Sequence, residues 1–280
     1  MNNDHILNIA RQQECAIREL QDMQVQIYKD VNKQFIPANK KLDEMDIGVS
    51  IIQKFELLEN IAPCEFPNIY YVYKMDKSKK WKGDMQFKFK EKSSYCDRMA
   101  LGSCKKYSMN CYTYNYTQKE NSVLSFRCAK DCRCSYYCAN RQEMKIHFTE
   151  PGENQYIGKV TDPYDMCAYV LHIHNENDAI EYVIEANCCQ CYFWCRCPCE
   201  ECQMVVFAIK DYRTNSMLSN IVRRGSGNCC ENAIKDGEND IMDITFPNNS
   251  NWKQRARLMM TGVFLDYIYF EETQSSQDMR

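Results

Sequence analysis

The sequence predicts a mainly β protein in which an antiparallel sheet forms a closed or nearly closed barrel around an apolar C-terminal helix. From about residue 50, apolar residues alternate with polar ones in short segments rich in β-branched and aromatic residues, a pattern typical of strands. Turn signals such as Pro151-Gly152 and Gly225-Ser226-Gly227 separate these segments. A late apolar run, Leu258 to Phe270, is nearly apolar on all sides, so a helix there needs protein around it.

Composition limits the classes of function. The 280 residues are 45% hydrophobic and 12% aromatic, which is enough for a large packed core. A formal net charge of -3 disfavours nucleic acid as the main partner, and we expect the basic pair Arg223-Arg224 to lie in a solvated loop. We find no nucleophile-base pairing, phosphate-binding loop or dinucleotide fingerprint, so we do not expect an enzyme.

The N-terminal segment, residues 1–47, is expected to be helical or flexible and to lie outside or beside the main domain. Apolar residues recur there in a roughly helical rhythm, with no Gly or Pro before Pro37. A surface helix and a helix that binds a partner protein or a membrane surface both fit this pattern. No basic leader precedes a long apolar stretch, so we expect a reducing compartment, where nineteen cysteines do not form a disulfide framework.

The predicted strands include "MQFKFKEKS", "YTYNYT", "MKIHF", "YVLHIH", "EYVIEA" and "MVVFAIKD". A weak internal repeat relates residues 114–160 to residues 171–222: strand, turn, strand, cysteine-rich segment, strand, turn, strand. Each copy has its cysteines in the same place, which predicts equivalent hairpin loops. A barrel would leave no long strand edge exposed.

The apolar run is too short to cross a membrane comfortably. Thirteen residues of helix measure about 20 Å, against roughly 30 Å of hydrocarbon. Asp266 lies within the run, and a charge at bilayer depth costs about 2.5–3.5 kcal/mol on insertion scales. We therefore expect a helix at about 253–270 to fill the barrel. In the alternative it spans the membrane, with Lys253, Arg255 and Arg257 as a cytoplasmic anchor.

Several ordered segments, taken together, resemble the phospholipid scramblases. They are "IIQKFELLE", "EPGENQYIGKV" and the tail "DITFPNNSNWKQRARLMMTGVFLDYIYFEE", and the resemblance extends from about residue 50 to 272. It implies a barrel domain at 48–272, followed by a polar tail at 273–280. The barrel would be a closed antiparallel one of twelve strands, similar to that of Tubby-like proteins, around a hydrophobic helix. The helix residues expected in the core, or in the membrane in the alternative, are Leu258, Met259, Val263, Phe264, Leu265, Asp266, Ile268 and Phe270.

Two cysteine clusters, "CAKDCRCSYYC" and "CCQCYFWCRCPCEEC", are the candidate lipid attachment sites. The resemblance implies palmitoylation of the first cluster, but the Cys-Pro-Cys unit lies in the second, so both remain candidates. One acyl chain binds a membrane marginally, whereas two or more anchor a protein stably. The candidate residues are Cys128, Cys132, Cys134, Cys138, Cys188, Cys189, Cys191, Cys195, Cys197 and Cys199.

Zinc is the rival interpretation of the second cluster. Cys188, Cys191, Cys199 and Cys202 form two CxxC pairs. Only seven residues separate the pairs, fewer than the usual spacing of about twelve to twenty. Solvent-facing or redox-buffering cysteines without a dedicated role are the third interpretation.

A candidate calcium segment precedes Phe246-Pro247, where the resemblance implies the calcium site of the family. Asp236, Glu238, Asp240 and Asp243 supply oxygen ligands, but Ile241 stands where such a loop needs glycine. Pro247 stands where it needs a bidentate glutamate. We expect weak binding, on the order of 10⁻⁴ to 10⁻³ M, or an acidic solvated turn.

The function that the resemblance implies is calcium-responsive, ATP-independent, bidirectional scrambling of phospholipids by a lipid-anchored barrel on a membrane, facing the cytoplasm. The expected cofactors are weakly bound calcium and covalent palmitate, with zinc as the alternative. The expected partner is a phospholipid membrane, with protein partners through the N-terminal helix and no nucleic acid. The alternatives are a membrane-associated lipid-binding adaptor or regulatory protein without transport activity, and a zinc-binding interaction module.

Overall fold

A computed structural model describes residues 36–54, 67–78, 81–93, 106–114, 123–131, 141–150, 154–163, 165, 168–194, 204–225 and 238–270. All of these except Ile36 belong to one unit, Pro37–Arg280. The helices are α1 (Ala38–Asp43), α2 (Cys191–Trp194) and α3 (Trp252–Tyr269). The strands are β1 (Gly48–Lys54), β2 (Ile69–Met75), β3 (Trp81–Lys92), β4 (Tyr107–Thr113), β5 (Val123–Lys130), β6 (Glu143–Phe148), β7 (Gln155–Thr161), β8 (Ala168–His174), β9 (Ile180–Asn187), β10 (Met204–Asp211), β11 (Met217–Gly225) and β12 (Glu238–Thr245).

The strands form a closed antiparallel barrel. Each strand pairs with the strands before and after it in the sequence, and β1 pairs with β12 to close the sheet. The twelve-stranded barrel is therefore confirmed. The cysteine-rich segments of the repeat follow β5 and β9, so they are equivalent connections at the same end of the barrel.

One predicted strand is confirmed only in part. Of the segment "YTYNYT", Tyr112 and Thr113 belong to β4, which begins earlier, at Tyr107. Tyr114 lies outside the strand, and residues 115–117 lie outside the described residues. Inside β4 Met109, Cys111 and Thr113 are buried two residues apart, and Asn110 between them is buried as well. The periodicity was present but began earlier, in a stretch whose polar residues concealed it.

Helix α3 fills the barrel, as the sequence predicted. It begins after a capping box, in which the Asn251 side chain accepts a hydrogen bond from Gln254 N and the Gln254 side chain accepts one from Asn251 N. All eight residues predicted for the helix core are at most 8% exposed. The alternative in which this helix spans a membrane is not what the structure shows. Within the described ranges, no helix combines the length and the hydropathy that a membrane crossing requires.

Two glycines allow the helix and the strands to approach closely. A Cβ at Gly262 of α3 would lie 2.7 Å from Ile244 Cδ1, in the wall of the barrel. Gly158 in β7 has φ +140°, and a Cβ there would lie 2.2 Å from His174 O and 2.8 Å from Arg257 Cδ. Only glycine fits that backbone conformation without strain.

Polar contacts fix the start of α3. The Arg257 side chain is 2% exposed and donates to Ile157 O at 2.8 Å, to Glu176 at 3.3 Å and to Glu181. Arg255 donates to Leu42 O at 2.8 Å. Arg255 and Arg257, at the start of the helix, therefore donate their hydrogen bonds to groups within the barrel domain.

Helix α1 is the described part of the predicted N-terminal helix. It begins directly after Pro37, and Ala38 N donates to Glu150 Oε2 at 2.9 Å, which ties α1 to the barrel. Residues 1–35 lie outside the described residues. The partner role of this segment and the predicted domain boundaries remain predictions.

Candidate functional site

The described part of the connection after β9 exposes two thiols at one end of the barrel. Cys189 and Cys191 are exposed free thiols, and Cys188 is half-buried. The segment is held in place because the Gln190 side chain donates to Val206 O and accepts from Val206 N, both at 2.8 Å. This pair of bonds attaches the thiol-bearing segment to Val206, near the start of β10.

Aromatic side chains anchor the same segment to the barrel core. Phe193 of α2 stacks on Tyr169, with ring centroids 4.3 Å apart and planes at 25°. Tyr192 meets the ring of Phe270 edge-on, at 5.8 Å. Because these rings are partly buried while Cys189 and Cys191 are exposed, the apolar side of the segment faces the protein and two of its thiols face outward.

A buried ion pair lies beneath this segment. The Arg223 side chain is 5% exposed, and its Nε lies 3.5 Å from Asp266 Oδ1. Arg223 also donates to the Tyr192 hydroxyl, and its guanidinium carbon lies 3.8 Å from the centroid of the Phe270 ring. The Tyr70 hydroxyl donates to Asp266 Oδ2 at 2.9 Å. The carboxylate that made a membrane span costly thus has a cationic partner in the barrel wall.

Sequence reasoning missed this role of Arg223. The pair Arg223-Arg224 was expected in a solvated loop, and that expectation is wrong, because both residues lie in β11. The signal was the strand period: Ile221 and Arg223 are two residues apart and both are buried. Arg224, on the other face, pairs with Asp243 at 2.6 Å.

A small crevice lies between α3 and the wall at this end. Its volume is about 240 Å³ with the adjoining open solvent included. The lining combines apolar side chains with the Arg223–Asp266 pair: Ile51, Gln53, Tyr70, Arg223, Met242, Gly262, Val263 and Asp266. The two charged groups of the lining, Arg223 and Asp266, lie 3.5 Å apart.

Cys128 does not fit the predicted lipid attachment site, because its side chain is enclosed in the barrel. It lies in β5, is 1% exposed, and its thiol points at Met260 of α3, with the two sulfur atoms 3.0 Å apart. Burial raises the pKa of this thiol, so the reactive thiolate is suppressed as well as inaccessible. Cys111 in β4 is buried in the same way.

The other candidate cysteines divide by location. Cys132, Cys134, Cys138, Cys195, Cys197 and Cys199 lie outside the described residues, so their lipidation remains a prediction. Of the predicted zinc ligands, Cys188 and Cys191 are described, whereas Cys199 and Cys202 are not. Within the part of the chain that is described, no group of three cysteine, histidine or acidic residues is placed to hold a metal. The zinc interpretation remains a prediction.

The candidate calcium segment is largely a strand. Glu238, Asp240 and Asp243 belong to β12, and Asp236 lies outside the described residues. Asp243 is buried; it accepts from Ser50 Oγ at 2.5 Å and pairs with Arg224. Burial raises the pKa of this carboxyl, against the opposing effects of Ser50 and Arg224. Asp243 does not fit a calcium ligand, because both of its oxygens already have partners within the barrel.

Comparison with known proteins gives consistent matches. The Scramblase family model matches residues 35–272. Phospholipid scramblase 1 of Mus musculus is 23% identical over 239 residues, which are 85% of this chain and 65% of that protein. Phospholipid scramblase 4 of Homo sapiens is 24% identical over 238 residues, with the same two shares. The chain thus matches about 65% of the length of these curated relatives. No solved structure gives a significant match.

Proposed function

The chain belongs to the scramblase family, and from this premise we propose that it moves phospholipids in both directions between the leaflets of a membrane, without ATP. The observation that carries the proposal is the extent of the family match. It covers residues 35–272 and so includes every strand of the barrel and all of α3. Two relatives that match over most of this chain are named phospholipid scramblases.

The proposal places the protein on a membrane, facing the cytoplasm, with acyl chains on its exposed thiols as anchors. Cys189 and Cys191 support this, because they are free, exposed and two residues apart. Two chains on neighbouring thiols give the stable attachment that one chain does not. An acyl-exchange mass shift on protein from its native cell, with hydroxylamine present or omitted, tests it; unmodified clustered cysteines would remove the anchor.

Helix α3 stays inside the barrel during the proposed activity. Arg257 holds it at one end through Glu181, and Asp266 holds it at the other through Arg223. Drawing the helix into lipid would separate these buried pairs, at about 3–5 kcal/mol for each charge left without its partner. Lipid movement therefore belongs to the outer surface of the barrel and the bilayer that it contacts.

The test is a lipid-flip assay in proteoliposomes that carry a fluorescent phospholipid. Dithionite, which does not enter the vesicles, bleaches only the outer leaflet when lipids cannot cross. We expect vesicles with the protein to lose nearly all of their fluorescence without ATP. Vesicles without protein and vesicles with heat-unfolded protein are the controls. Bleaching that stops at the outer leaflet in every sample would contradict the proposal.

The enclosure of α3 favours a second candidate, a membrane-associated lipid-binding adaptor or regulatory protein without transport. A helix surrounded by strands offers no path for a lipid through the barrel, since its described residues from Arg255 to Ile268 are buried. The same vesicles separate the two candidates. If the protein binds the vesicles but dithionite still bleaches only the outer leaflet, the adaptor is supported. If dithionite bleaches the lipids of both leaflets, the scramblase is supported.

A response to calcium is a further part of the proposal, and it rests on Asp236, Glu238 and Asp240. Asp243 is excluded because it is held by Ser50 and Arg224. The assay is repeated over a calcium series with the triple variant Asp236→Asn, Glu238→Gln and Asp240→Asn. An activity that rises with calcium in the original chain and not in the variant supports this part. Identical curves would remove calcium from the proposal and leave lipid movement intact.

A further inference from the structure

The outer wall of the barrel carries exposed cations on strands β3, β5 and β6. Phe87 and Phe89 of β3 are fully buried in the core, so the lysines that alternate with them point away from it. By the same alternation one cation of β5 and one of β6 point outward as well. Lys88, also on this side of β3, is half-buried and lies over the Tyr71 ring. We call the four exposed cations the basic face: Lys90, Lys92, Arg127 and Lys145.

The strand register brings the basic face together. Lys90 lies opposite Asn110 of β4, and Asn110 lies opposite Arg127 of β5. The next row, two residues along each strand, contains Lys92, Ser108, Ala129 and Lys145. Because neighbouring strands are about 4.8 Å apart, the backbones of Lys90 and Arg127 are separated by roughly 10 Å. Long cationic side chains thus stand on either side of short ones.

Three of the four cations have no carboxylate partner. Within the described part of the chain, Lys90, Lys92 and Arg127 form no ion pair. Lys145 Nζ lies 3.9 Å from Glu143 Oε1, and the Lys145 side chain remains 56% exposed. The positive charge of the basic face is therefore largely uncompensated by the protein itself.

Cations on another part of the outer wall are arranged differently. Lys210 of β10 pairs with Glu185 at 2.6 Å, and Arg224 of β11 pairs with Asp243 at 2.6 Å. There a neighbouring strand supplies the acid. The unpaired cations of β3 and β5 are thus a local feature, on a chain whose formal net charge is -3.

Both register neighbours of Arg127 in its row carry a buried polar atom without a hydrogen-bond partner among the described residues. Asn110 is 1% exposed, and the atom is its Oδ1. His147 lies opposite Arg127 on β6, and the atom is its Nδ1. Burial lowers the pKa of His147, and the nearby Lys145 and Arg127 lower it further, so the ring is neutral at pH 7. A ligand here meets unused hydrogen-bonding groups as well as charge.

We propose that the basic face binds the headgroups of anionic phospholipids, so that the barrel meets an anionic leaflet with this side of its wall. Lysine and arginine donate charge-assisted hydrogen bonds to phosphate oxygens. Headgroup donors, such as the ammonium group of phosphatidylserine, suit the unpaired Asn110 Oδ1. The inference rests on the proposed membrane function. It adds the class of lipid and the surface that binds it, on the outer wall where lipid movement was placed.

A bilayer is the occupant that the charge distribution favours. The basic face extends over four neighbouring strands, from β3 to β6, and its cations are exposed, so it can meet several headgroups at once. The chain as a whole is acidic, so an anionic leaflet repels it on average and attracts it only where cations are unpaired. Charge complementarity thus selects both the partner and the side that faces it.

The test compares two triple variants of the full chain, purified and freed of acyl groups by hydroxylamine so that anchors do not dominate binding. The basic-face variant is Lys90→Gln, Lys92→Gln and Arg127→Gln. The matched control removes two lysines and one arginine from exposed positions outside the basic face: Lys40→Gln, Lys77→Gln and Arg213→Gln. Circular dichroism checks the folding of both. Sedimentation measures binding to phosphatidylcholine vesicles with and without phosphatidylserine.

We expect the basic-face variant to bind the phosphatidylserine vesicles about a hundredfold more weakly than the original chain, since each cation near an anionic surface contributes about fivefold in affinity. The control should bind within a few fold of the original chain. Equal losses in the two variants would reveal an effect of net charge alone and overturn the proposal. Binding that does not depend on phosphatidylserine, or that survives in the basic-face variant, would overturn it as well.

His147 gives a local readout of the same contact. Its ring-proton resonance, assigned with the variant His147→Gln, is followed against pH by NMR with dihexanoyl phosphatidylserine, a soluble lipid. A bound headgroup should raise the pKa of His147, because nearby negative charge favours the imidazolium. Dihexanoyl phosphatidylcholine and inorganic phosphate, at the same concentration, should raise it less. An unchanged pKa would overturn the proposal, and an equal shift with inorganic phosphate would indicate a site for free phosphate and overturn the assignment to lipid.

The dithionite assay on the same variants separates this inference from the proposed function. Binding through the basic face without any lipid movement contradicts only the proposed function. Lipid movement by a basic-face variant that binds phosphatidylserine as the original chain does contradicts only this inference.

Discussion

Replacing Arg257 by methionine should destabilise the barrel strongly, because this side chain joins α3 to two acidic residues and a backbone carbonyl. Its side chain is 2% exposed, and it donates to Ile157 O, Glu176 and Glu181. Breaking a buried charge pair costs about 3–5 kcal/mol. Glu176 is 38% exposed and Glu181 is 23% exposed, so water recovers part of that loss. The buried Ile157 carbonyl loses its Arg257 donor, which costs about 1–3 kcal/mol. We expect a net loss of about 3 kcal/mol, which for a domain of this size lowers Tm by about 6–12 °C.

Lys253→Met is the matched control, since Lys253 also pairs with Glu176, at 3.0 Å, but at the surface. An exposed pair contributes about 0–1 kcal/mol, so the control should unfold within a few degrees of the original chain. Thermal unfolding followed by circular dichroism and urea unfolding at 25 °C measure both variants. If Arg257→Met costs no more than Lys253→Met, the reasoning that buried contacts lock α3 in the barrel is refuted.

Three further predictions concern single residues. Gly158→Ala should lower Tm and disturb the pairing of β7 with β8, because the added methyl group would meet His174 O at 2.2 Å; hydrogen exchange locates the damage, and unchanged protection of both strands would contradict it. In the folded protein freed of acyl groups by hydroxylamine, iodoacetamide should modify Cys189 at pH 8 but should reach Cys128 only after unfolding, as read by mass spectrometry; equal rates would contradict the burial of Cys128. The raised pKa of Asp243 means that the stability it contributes is complete below the unfolded pKa of about 3.9 and is lost as pH rises through the folded pKa. Asp243→Asn should therefore flatten the dependence of stability on acidic pH in urea unfolding and leave any calcium response unchanged; a lost calcium response would restore this residue as a ligand.

The strands and the core helix were predictable because both leave local signatures. In β10 the buried Val205, Phe207 and Ile209 alternate with less buried neighbours, as the sequence pattern required. The enclosure of α3 followed from its length and from Asp266, which made a membrane span costly. Closure of the sheet was different. The pairing of β1 with β12 joins residues almost two hundred positions apart, for example Gly48 with Thr245, and local periodicity contains no information about it.

The candidate site was harder to predict because the role of each of its residues depends on neighbours that are distant in the sequence. Cysteine can serve as a reactive surface residue or as an apolar core residue, and the local sequence does not separate the two roles for Cys128. Its position two residues after the buried Phe126 in β5 indicates the core. The resemblance and the spacing of acidic residues predict Asp243 as a calcium ligand, but its partners Ser50 and Arg224 come from other strands, which the local sequence does not reveal. Arg223 was given to a loop because nothing near it in the sequence offers a counter-charge. Its partner Asp266 is 43 residues away, in α3.

The position of α3 after the last strand has a consequence for the making of the protein. During synthesis all twelve strands leave the ribosome before the helix that they must surround. A nascent chain stopped before Trp252 therefore has the strands of the barrel but not the helix that fills its core. Its inward-facing apolar side chains, such as Phe87, Phe126 and Phe207, would then face water or one another. A premature stop that removes only the final helix should thus be as damaging as the loss of many strands, and the growing chain needs protection from aggregation until translation has passed Phe270.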